Sequence, residues 1–317
     1  MNSLRDNRQY LLPSGLAVAI AGVLASPILY AQEANITELD AIEVSADAAE
    51  PSGTAPSDGY TAEATVTGTK TTTNVVETPQ SISTVTADQI EDQNAANLGE
   101  VLRYTAGARG ETFGFEPRTT FLRIRGFDVA TSGLFRDNLK LANPGFAAGY
   151  SLEPYGAERI DVLKGPSSVL YGQAGPGGLV NYVSKRPTFD TRREVRVEAG
   201  TNDLVQGQFD ISGAVNDSDT LAVRLVGLVR DSETQVDFVN DDRKYLAPSL
   251  TWQPTDATRL TVLAHWQYDD TQPSQRYPLQ GTLEPNPNGP IPDNRFTGEP
   301  GYDAYERRES AIGYEFE

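Results

Sequence analysis

Residues after Pro187 alternate between apolar and polar side chains with a period of two. Val195, Val197 and Ala199, for example, alternate with charged residues. Because successive side chains of a β-strand point to opposite faces, the pattern predicts strands with one apolar and one polar face. Six strands are expected, five around residues 194–199, 208–212, 221–229, 244–252 and 259–268, and a sixth that begins near Glu306.

The connections between these strands alternate between short and long. Residues 216–219 and 254–257 contain tight turns, whereas residues 231–243 and 271–305 form long loops. Short turns on one side and long loops on the other are typical of outer-membrane β-barrels. The alternation therefore favours a transmembrane barrel. A soluble β-sandwich, with apolar residues inside and polar residues outside, would show the same period and is the alternative.

Aromatic residues lie on the apolar face of these strands. The fifth strand places five residues on that face: Leu260, Val262, Ala264, Trp266 and Tyr268. Trp252, Trp266 and Tyr268 suit an aromatic girdle at a bilayer interface. Six strands cannot close a barrel with a filled lumen, for which about 22 are needed. An open edge in lipid would leave backbone groups unpaired, so we expect the chain to be the amino-terminal part of a longer protein.

Residues 70–185 interleave short helices and strands instead. Thr86–Gln89 and Asn97–Glu100 both fit the capping box that opens a helix. Strand-like runs follow at residues 120–127, 134–141, 159–164 and 179–184. These elements predict a small α+β domain ahead of the barrel strands.

Residues 1–31 have the layout of a secretory signal peptide. Arg5 and Arg8 precede an apolar stretch at residues 11–29, and small residues lead to an expected cleavage site at the end of the segment. Residues 32–69 contain no lysine or arginine and many acidic side chains among Ala, Ser, Thr, Pro and Gly. Such a composition predicts a disordered acidic linker.

Composition limits the chemistry available to the chain. It has no cysteine and one histidine, His265, so a disulfide framework, a thiolate metal site and a Ser-His-Asp set are all disfavoured. A net charge of −18 argues against nucleic acid. The glycine-rich run at residues 172–178 lacks the Lys-Ser/Thr ending of a phosphate-binding loop and is interpreted as a backbone hinge. We predict no enzyme activity, no cofactor and no metal site of its own.

Five segments carry a resemblance to a known family: VETPQSIS (76–83), LRIRGF (122–127), VLKGPSSVLYG (162–172), GGLVNYVSKRP (177–187) and PLQGTLEPNPNG (278–289). Together they resemble the ferric-siderophore (ferrichrome-type) branch of the TonB-dependent outer-membrane receptors. The resemblance implies an α+β plug domain followed by antiparallel transmembrane β-barrel strands, the first six or so of an expected 22. The expected parts are a signal peptide (1–31), a linker (32–69), a plug (70–187) and the first part of the barrel (188–317).

The resemblance also implies a function and partners. Receptors of this family import a ferric siderophore across the outer membrane of Gram-negative bacteria, and the iron arrives already chelated. TonB, with its inner-membrane energising complex, pulls on an amino-terminal segment of the receptor, the TonB box. An alternating segment here resembles that box: Asp40, Ala41, Ile42, Glu43, Val44, Ser45 and Ala46. As an extended strand it would add itself to a sheet edge of TonB.

Two cations of the plug are similar to those that latch the plug to glutamates of the barrel wall in the family. They are Arg125 of the RGF motif and Lys164 of the KGP motif. The family usually has arginine at the second position, and an ammonium cannot form the planar bidentate fork of a guanidinium. The partner glutamates are expected beyond Glu317.

Loop positions that the family uses for ligand contacts are occupied here by Arg109, Thr131, Ser132 and Phe146 in the plug and by Arg276 and Tyr277 in a long barrel loop. An arginine can pair with an anionic ferric chelate, and aromatic rings can cover its apolar parts. These six residues form the predicted ligand site.

Other functions stay open on the sequence alone. A receptor of the same class could take haem, a corrinoid or an oligosaccharide instead. A passive porin or structural barrel would need neither a plug nor a TonB box. An exported β-rich hydrolase is disfavoured by the single histidine.

Overall fold

A computed structural model of the protein describes residues 52–114, 116–142, 149–215, 219–273 and 276–317. The predicted signal peptide, the TonB-box segment at residues 40–46 and the predicted ligand residue Phe146 lie outside the described residues. In the ranges just given, no helix is long and apolar enough to cross a membrane.

Ten short strands lie before Pro187 among the described residues. They are β1 (Ala64–Thr65), β2 (Thr73–Asn74), β3 (Ser81–Thr86), β4 (Ala108–Arg109), β5 (Arg123–Ile124), β6 (Phe127–Asp128), β7 (Leu134–Arg136), β8 (Leu139–Lys140), β9 (Ala157–Lys164) and β10 (Gly178–Ser184). The central sheet has the order β3-β9-β10-β7-β8, β1 pairs with β2, and β4, β5 and β6 form a third sheet. Since β9 and β10 are buried at nearly every position, they form the centre of this α+β region.

The α-helices of this region are short: α1 (Ala87–Asp92), α2 (Leu98–Val101) and α3 (Ser168–Tyr171), with 3₁₀ turns at Val75–Glu77 and Pro154–Gly156. Both predicted caps are confirmed. Thr86 Oγ1 accepts a hydrogen bond from the Gln89 amide at 3.3 Å, and Asn97 Oδ1 accepts one from the Glu100 amide at 3.0 Å. The caps start helices whose apolar sides join the buried core beneath the sheet.

The turn between β7 and β8 contains the two residues Asp137 and Asn138. Both have positive φ angles, +49° and +64°, as a two-residue hairpin requires. Asn tolerates this conformation, as the sequence predicted. The Asp137 carboxylate accepts hydrogen bonds from the amide and hydroxyl of Ser184, at 2.9 and 2.6 Å, and so fixes the turn against β10.

Six long strands follow: β11 (Arg192–Ala199), β12 (Val205–Ala214), β13 (Leu221–Asp231), β14 (Asp241–Thr255), β15 (Thr258–Thr271) and β16 (Tyr305–Phe316). Each pairs antiparallel with the next, so the sheet is a meander in chain order. The six predicted strands are confirmed. A two-residue turn joins β14 to β15, and a long loop joins β15 to β16, in agreement with the predicted alternation.

This sheet has its apolar face outside. Val195, Ile312 and Tyr314 are each 78% exposed, and Trp252 and Trp266 are exposed at 46% and 43%. The buried face is polar and lies against the plug, with Gln206, Gln208, Asp210, Arg224, Arg230, Arg243, Thr261, Gln267 and Asp269 all buried. A soluble sandwich would have the opposite arrangement, so that alternative is wrong. An apolar outer band and a polar lumen are the arrangement of a membrane barrel.

Two expectations from the sequence differ from the structure. The acidic linker was expected to be disordered to Thr69, but Ala62, Ala64, Thr65 and Thr67 are buried against the plug. The segment is too polar to build its own core, and it is ordered because it docks on one that already exists. The run at residues 120–127 contains only the short strands β5 and β6.

The glycine-rich run at residues 172–178 is tightly packed at its last two residues, Gly177 and Gly178, whereas a Cβ at Gly172 would meet no atom within 4 Å. A Cβ added to Gly177 would lie 2.2 Å from the Ile124 carbonyl oxygen, and one added to Gly178 would lie 2.1 Å from that of Leu163. Gly178 also has a φ of +136°. These positions need glycine because the backbones approach so closely.

Candidate functional site

The small sheet β4-β5-β6 holds part of the predicted ligand site. Its register places Arg109 opposite Arg123 and Arg123 opposite Asp128. The Thr131 hydroxyl donates a hydrogen bond to the Asp128 carboxylate, and the Thr131 amide donates to it at 3.3 Å. Arg109 and Thr131 are therefore on one small, exposed structural unit, and Ser132 follows it directly and is half-buried.

Aromatic side chains that the sequence did not single out lie beside this sheet. The rings of Phe113 and Phe121 meet edge to face, with centroids 5.1 Å apart. The Arg123 guanidinium lies 5.7 Å from the centroid of Phe113, which is 66% exposed. Cations next to exposed rings can bind a ligand with anionic and apolar parts. In the sequence, Phe121 and Arg123 could have been identified as candidates because they lie just before the RGF motif at residues 125–127.

The other two predicted ligand residues lie in the loop between β15 and β16. The Tyr277 hydroxyl lies 2.9 Å from the Asp293 carbonyl oxygen and 2.8 Å from that of Arg295, so Tyr277 braces this loop. Arg276 precedes it and is exposed. Phe296 of the same loop packs against Val236 and Val239 of the β13–β14 loop, and the three side chains form a buried cluster. Tyr277 therefore has a structural role in addition to any contact with a ligand.

The two predicted latch residues lie close to each other. A Cβ placed on Gly165 would lie 3.4 Å from Arg125 Nη1, next to Lys164 in the chain. Lys164 Nζ donates a hydrogen bond to Ser83 Oγ at 2.7 Å, and burial, together with the charge of Arg125, lowers the pKa of its ammonium.

Charged contacts join the plug to the polar face of the barrel strands. Glu153 of the plug is 1% exposed, and its Oε2 lies 2.9 Å from Arg243 Nη1 and 3.7 Å from Arg230 Nη2. Arg243 also donates to Ser151 Oγ at 2.8 Å and to Asp269 Oδ1 at 2.6 Å. The carboxylate of the plug is thus neutralised by arginines of the wall.

A second group of contacts lies further along the same wall. Arg224 donates two hydrogen bonds to Asp210, at 2.8 and 2.7 Å, and its Nη1 lies 3.4 Å from Glu158 Oε2 of the plug. Lys185 Nζ lies 3.0 Å from Asp210 Oδ2. We call the Glu153 and Glu158 groups together the seat of the plug. Breaking a buried charged contact of this kind leaves an uncompensated charge, so the seat resists separation.

His265 belongs to the same interface. Arg136 Nη1 of the plug lies 2.5 Å from His265 Nε2, which is itself 3.0 Å from Glu309 Oε1. The Arg136 guanidinium also lies 4.5 Å from the centroid of the Tyr182 ring. Each neighbour of His265 thus helps to join the plug to the wall. Among the described residues no group of three or more acidic or histidine side chains could hold a metal ion.

Residues 53–67, which we call the strap, are fixed to the plug through the buried face of β9. The hydroxyls of Thr65 and Thr67 donate to Asp161 Oδ2 at 2.7 and 2.6 Å. Arg159, on the same strand, donates to the Gly53 carbonyl oxygen. The strap therefore connects the chain that precedes it to the central strand of the plug.

Comparison with known proteins gives the same assignment. The family model for the TonB-dependent receptor plug domain matches residues 74–179. The ferrioxamine B receptor of Salmonella typhimurium (strain SL1344) is 37% identical over 78% of this chain and 36% of its own length. The ferrichrome outer membrane transporter/phage receptor of Escherichia coli K12 is 37% identical over 95% of this chain and 41% of its own length.

A solved structure shows the same fold. The pyoverdine outer membrane receptor FpvA of Pseudomonas aeruginosa PAO1, bound to pyoverdine, superposes with a TM-score of 0.62 at 26% identity. The match covers 67% of this chain and 31% of that structure. The chain thus spans about two fifths or less of the proteins it matches. It belongs to the TonB-dependent receptors of the outer membrane and corresponds to the amino-terminal portion of their ferric-siderophore members.

Proposed function

We propose that the full receptor imports a ferric siderophore across the outer membrane and that TonB supplies the force. The main observation behind the proposal is that the plug domain packs against the polar face of a sheet whose apolar face is exposed. A plug in a lumen blocks passive flow, so transport needs an energy source that moves it. The relatives named for ferrioxamine B and ferrichrome support these two ferric siderophores as the first candidate ligands.

In this proposal the ligand binds above the plug on the β4-β5-β6 sheet. Arg109 and Arg123 attract an anionic part of the chelate, and Phe113 and Phe121 cover an apolar part. Thr131, Ser132, Phe146, Arg276 and Tyr277 are proposed as further contacts. Arg125 and Lys164 are proposed to latch the plug to barrel glutamates beyond the residues described.

The proposal is tested by uptake of radioactive iron. The complete receptor is expressed in a Gram-negative strain that lacks its own receptors for ferrichrome and ferrioxamine B, and the two siderophores are supplied in turn. We expect saturable uptake of one of them that a protonophore or loss of TonB abolishes. Uptake indifferent to both treatments would identify a passive porin, and binding of haem or a corrinoid alone would identify another ligand class.

Replacing Arg109 with alanine should weaken siderophore binding by about 10- to 100-fold. A hydrogen bond to a charged group contributes roughly 1.5–3 kcal/mol, and each 1.4 kcal/mol is a factor of ten in the dissociation constant. Tryptophan fluorescence quenching or calorimetry on the purified full receptor measures the change. Arg103→Ala is the matched control, because Arg103 is also an exposed plug arginine but pairs with Glu100 at 3.7 Å. If the two variants bind the siderophore with equal affinity, Arg109 is not part of the ligand site.

A further inference from the structure

We infer that the outer face of the barrel wall binds one phospholipid of the periplasmic leaflet in a groove across strands β11–β15, with the lipid phosphate on Arg193. The inference goes beyond the proposed function, since it depends on the membrane location of the wall and not on the cargo. It is based on an apolar groove that begins at a cation near the periplasmic end of the wall and rises toward the middle of the membrane.

The groove lies on the face of the sheet that contacts lipid, and it encloses about 620 Å³. Each of the strands β12–β15, which form its apolar sides, is paired with a neighbouring strand on both edges. Any strand that joins the sheet at β11 or β16 therefore extends the wall sideways and leaves the groove uncovered. The apolar side chains that line it are Ile211, Val223, Leu225, Pro248, Leu250 and Val262.

This space is suited neither to a void nor to water. Atoms that line an empty gap lose the dispersion contacts of close packing, and protein structures leave few gaps larger than a water molecule. A bound water needs several polar partners, which the six apolar side chains do not supply. Since the groove opens toward the bilayer, an acyl chain is the group that fills it.

The strand register gives the groove a direction. The short turns mark the periplasmic end of the wall, and β11 begins and β14 ends there. A row of paired residues starts one residue from that end of β11 and reaches a point seven residues from that end of β14. At a strand tilt of about 40°, seven residues correspond to roughly 15–18 Å of depth, which is close to the bilayer midplane. In order, the row is Arg193, Ile211, Leu225 and Pro248.

A cation lies at the periplasmic mouth of the groove. Arg193 and Thr191 line this mouth, and both are exposed. Trp252, an exposed aromatic residue three positions before the end of β14, indicates that this level is the membrane interface, where lipid phosphates lie. A guanidinium binds a phosphate through two parallel hydrogen bonds. Charge and direction therefore match a phospholipid with its head at Arg193 and its chain toward the midplane.

Gly213 leaves room in the groove that the fold does not require. A Cβ at this position would meet only Thr191, at 3.6 and 3.7 Å, which is ordinary van der Waals contact, and the backbone has no positive φ there. A larger side chain is therefore compatible with the strand. It would occupy the space beside Thr191 that we assign to the lipid.

The experiment uses the complete receptor in vesicles of phosphatidylethanolamine with a small share of phosphatidylglycerol that carries a diazirine near the end of one acyl chain. After irradiation, mass spectrometry of peptides locates the labelled residues. A diacylglycerol with the same diazirine chain is the probe without a phosphate. Arg193→Gln removes the cation and Gly213→Leu fills the groove. Lys244→Gln is the matched control, because Lys244 is an exposed cation near the other end of β14. A gel shift on heating checks that each barrel is folded.

We expect the phosphatidylglycerol label to concentrate on residues 248–250 and 262–264 and to exceed the diacylglycerol label there. Arg193→Gln should lower this labelling roughly tenfold, as expected for the loss of a charged hydrogen bond. Gly213→Leu should abolish it, and Lys244→Gln should leave it within about twofold of the unaltered receptor.

Three results would overturn the inference. Label spread evenly over the outward side chains, or equal labelling by the two probes, would identify ordinary boundary lipid. Labelling that Arg193→Gln leaves unchanged would remove the phosphate contact. A receptor that is a dimer in the vesicles and a monomer as Gly213→Leu would show that a second copy covers the groove. No measurement here involves a siderophore or TonB, so a failure of the proposed import would leave these results unaffected.

Discussion

Replacing Asp161 with alanine in the full receptor is expected to lower the free energy of unfolding of the plug by about 3–5 kcal/mol. Asp161 is fully buried in β9 and accepts hydrogen bonds from three threonines, Thr65, Thr67 and Thr84, at 2.7, 2.6 and 3.0 Å. Its Oδ1 also lies 3.4 Å from Arg159 Nε. The substitution removes the carboxylate that pairs with the buried Arg159 and releases the hydroxyls of Thr65 and Thr67 in the strap.

Two measurements check this prediction. The unfolding transition of the plug in the purified receptor should move to lower temperature, and amide hydrogen exchange at residues 62–67 should become faster because the strap loses its anchor. Asp190→Ala is the matched control, since Asp190 is exposed and lies outside the buried core. If the two variants shift the transition equally, Asp161 does not anchor the strap.

The barrel strands were predictable because their signal is local. Residues two apart, such as Val195 and Val197, share a face whatever surrounds them, so the sequence alone sets the strand and its two faces. Which face is buried is not local information. In the sequence, only the loop lengths and the signal-peptide layout favoured an exposed apolar face over a sandwich core. In the structure, the burial of Gln206, Asp210 and Arg224 shows that the polar face is the inner one.

The seat of the plug could not be predicted for a different reason. Glu153 and Arg243 are 90 residues apart in the chain, and Glu158 and Arg224 are 66 apart. Each of these residues alone is an ordinary charged side chain on a polar face. Their pairing depends on the orientation of the plug relative to the sheet. The pattern of apolar and polar residues along the sequence contains no information about that orientation.

The ordered structure of the strap was not predicted because it depends on contacts with the plug. Its Ala, Ser, Thr and acidic residues fit the composition of a disordered linker, and they fold only where Asp161 and Arg159 supply partners. The resemblance to the family predicted the positions of a ligand site, but the pairing of Arg123 with Arg109 follows from the register of two-residue strands, and the contact of Arg123 with Phe113 follows from the fold. Strands that short have no sequence signal of their own.

Deleting residues 40–46 from the full receptor should abolish siderophore uptake while siderophore binding stays intact. The proposed ligand site lies on the β4-β5-β6 sheet and does not include this segment, so affinity should not change. Uptake requires TonB to pull on the chain, and an alternating extended segment is what an edge-strand partner binds. Force applied there would reach the plug through the strap, which begins seven residues further along.

Whole-cell accumulation of radioactive iron and equilibrium binding to the purified receptor, measured on the same variant, separate the two effects. A deletion of residues 33–39 is the matched control, because it shortens the amino-terminal segment equally and keeps residues 40–46. We expect uptake by the control to remain within a few-fold of the unaltered receptor, since residues 33–39 lie outside the proposed TonB box and the entropic cost of closing a loop changes only slowly with its length. Full uptake by the 40–46 deletion would show that TonB engages another part of the chain, and loss of binding would place these residues in the ligand site.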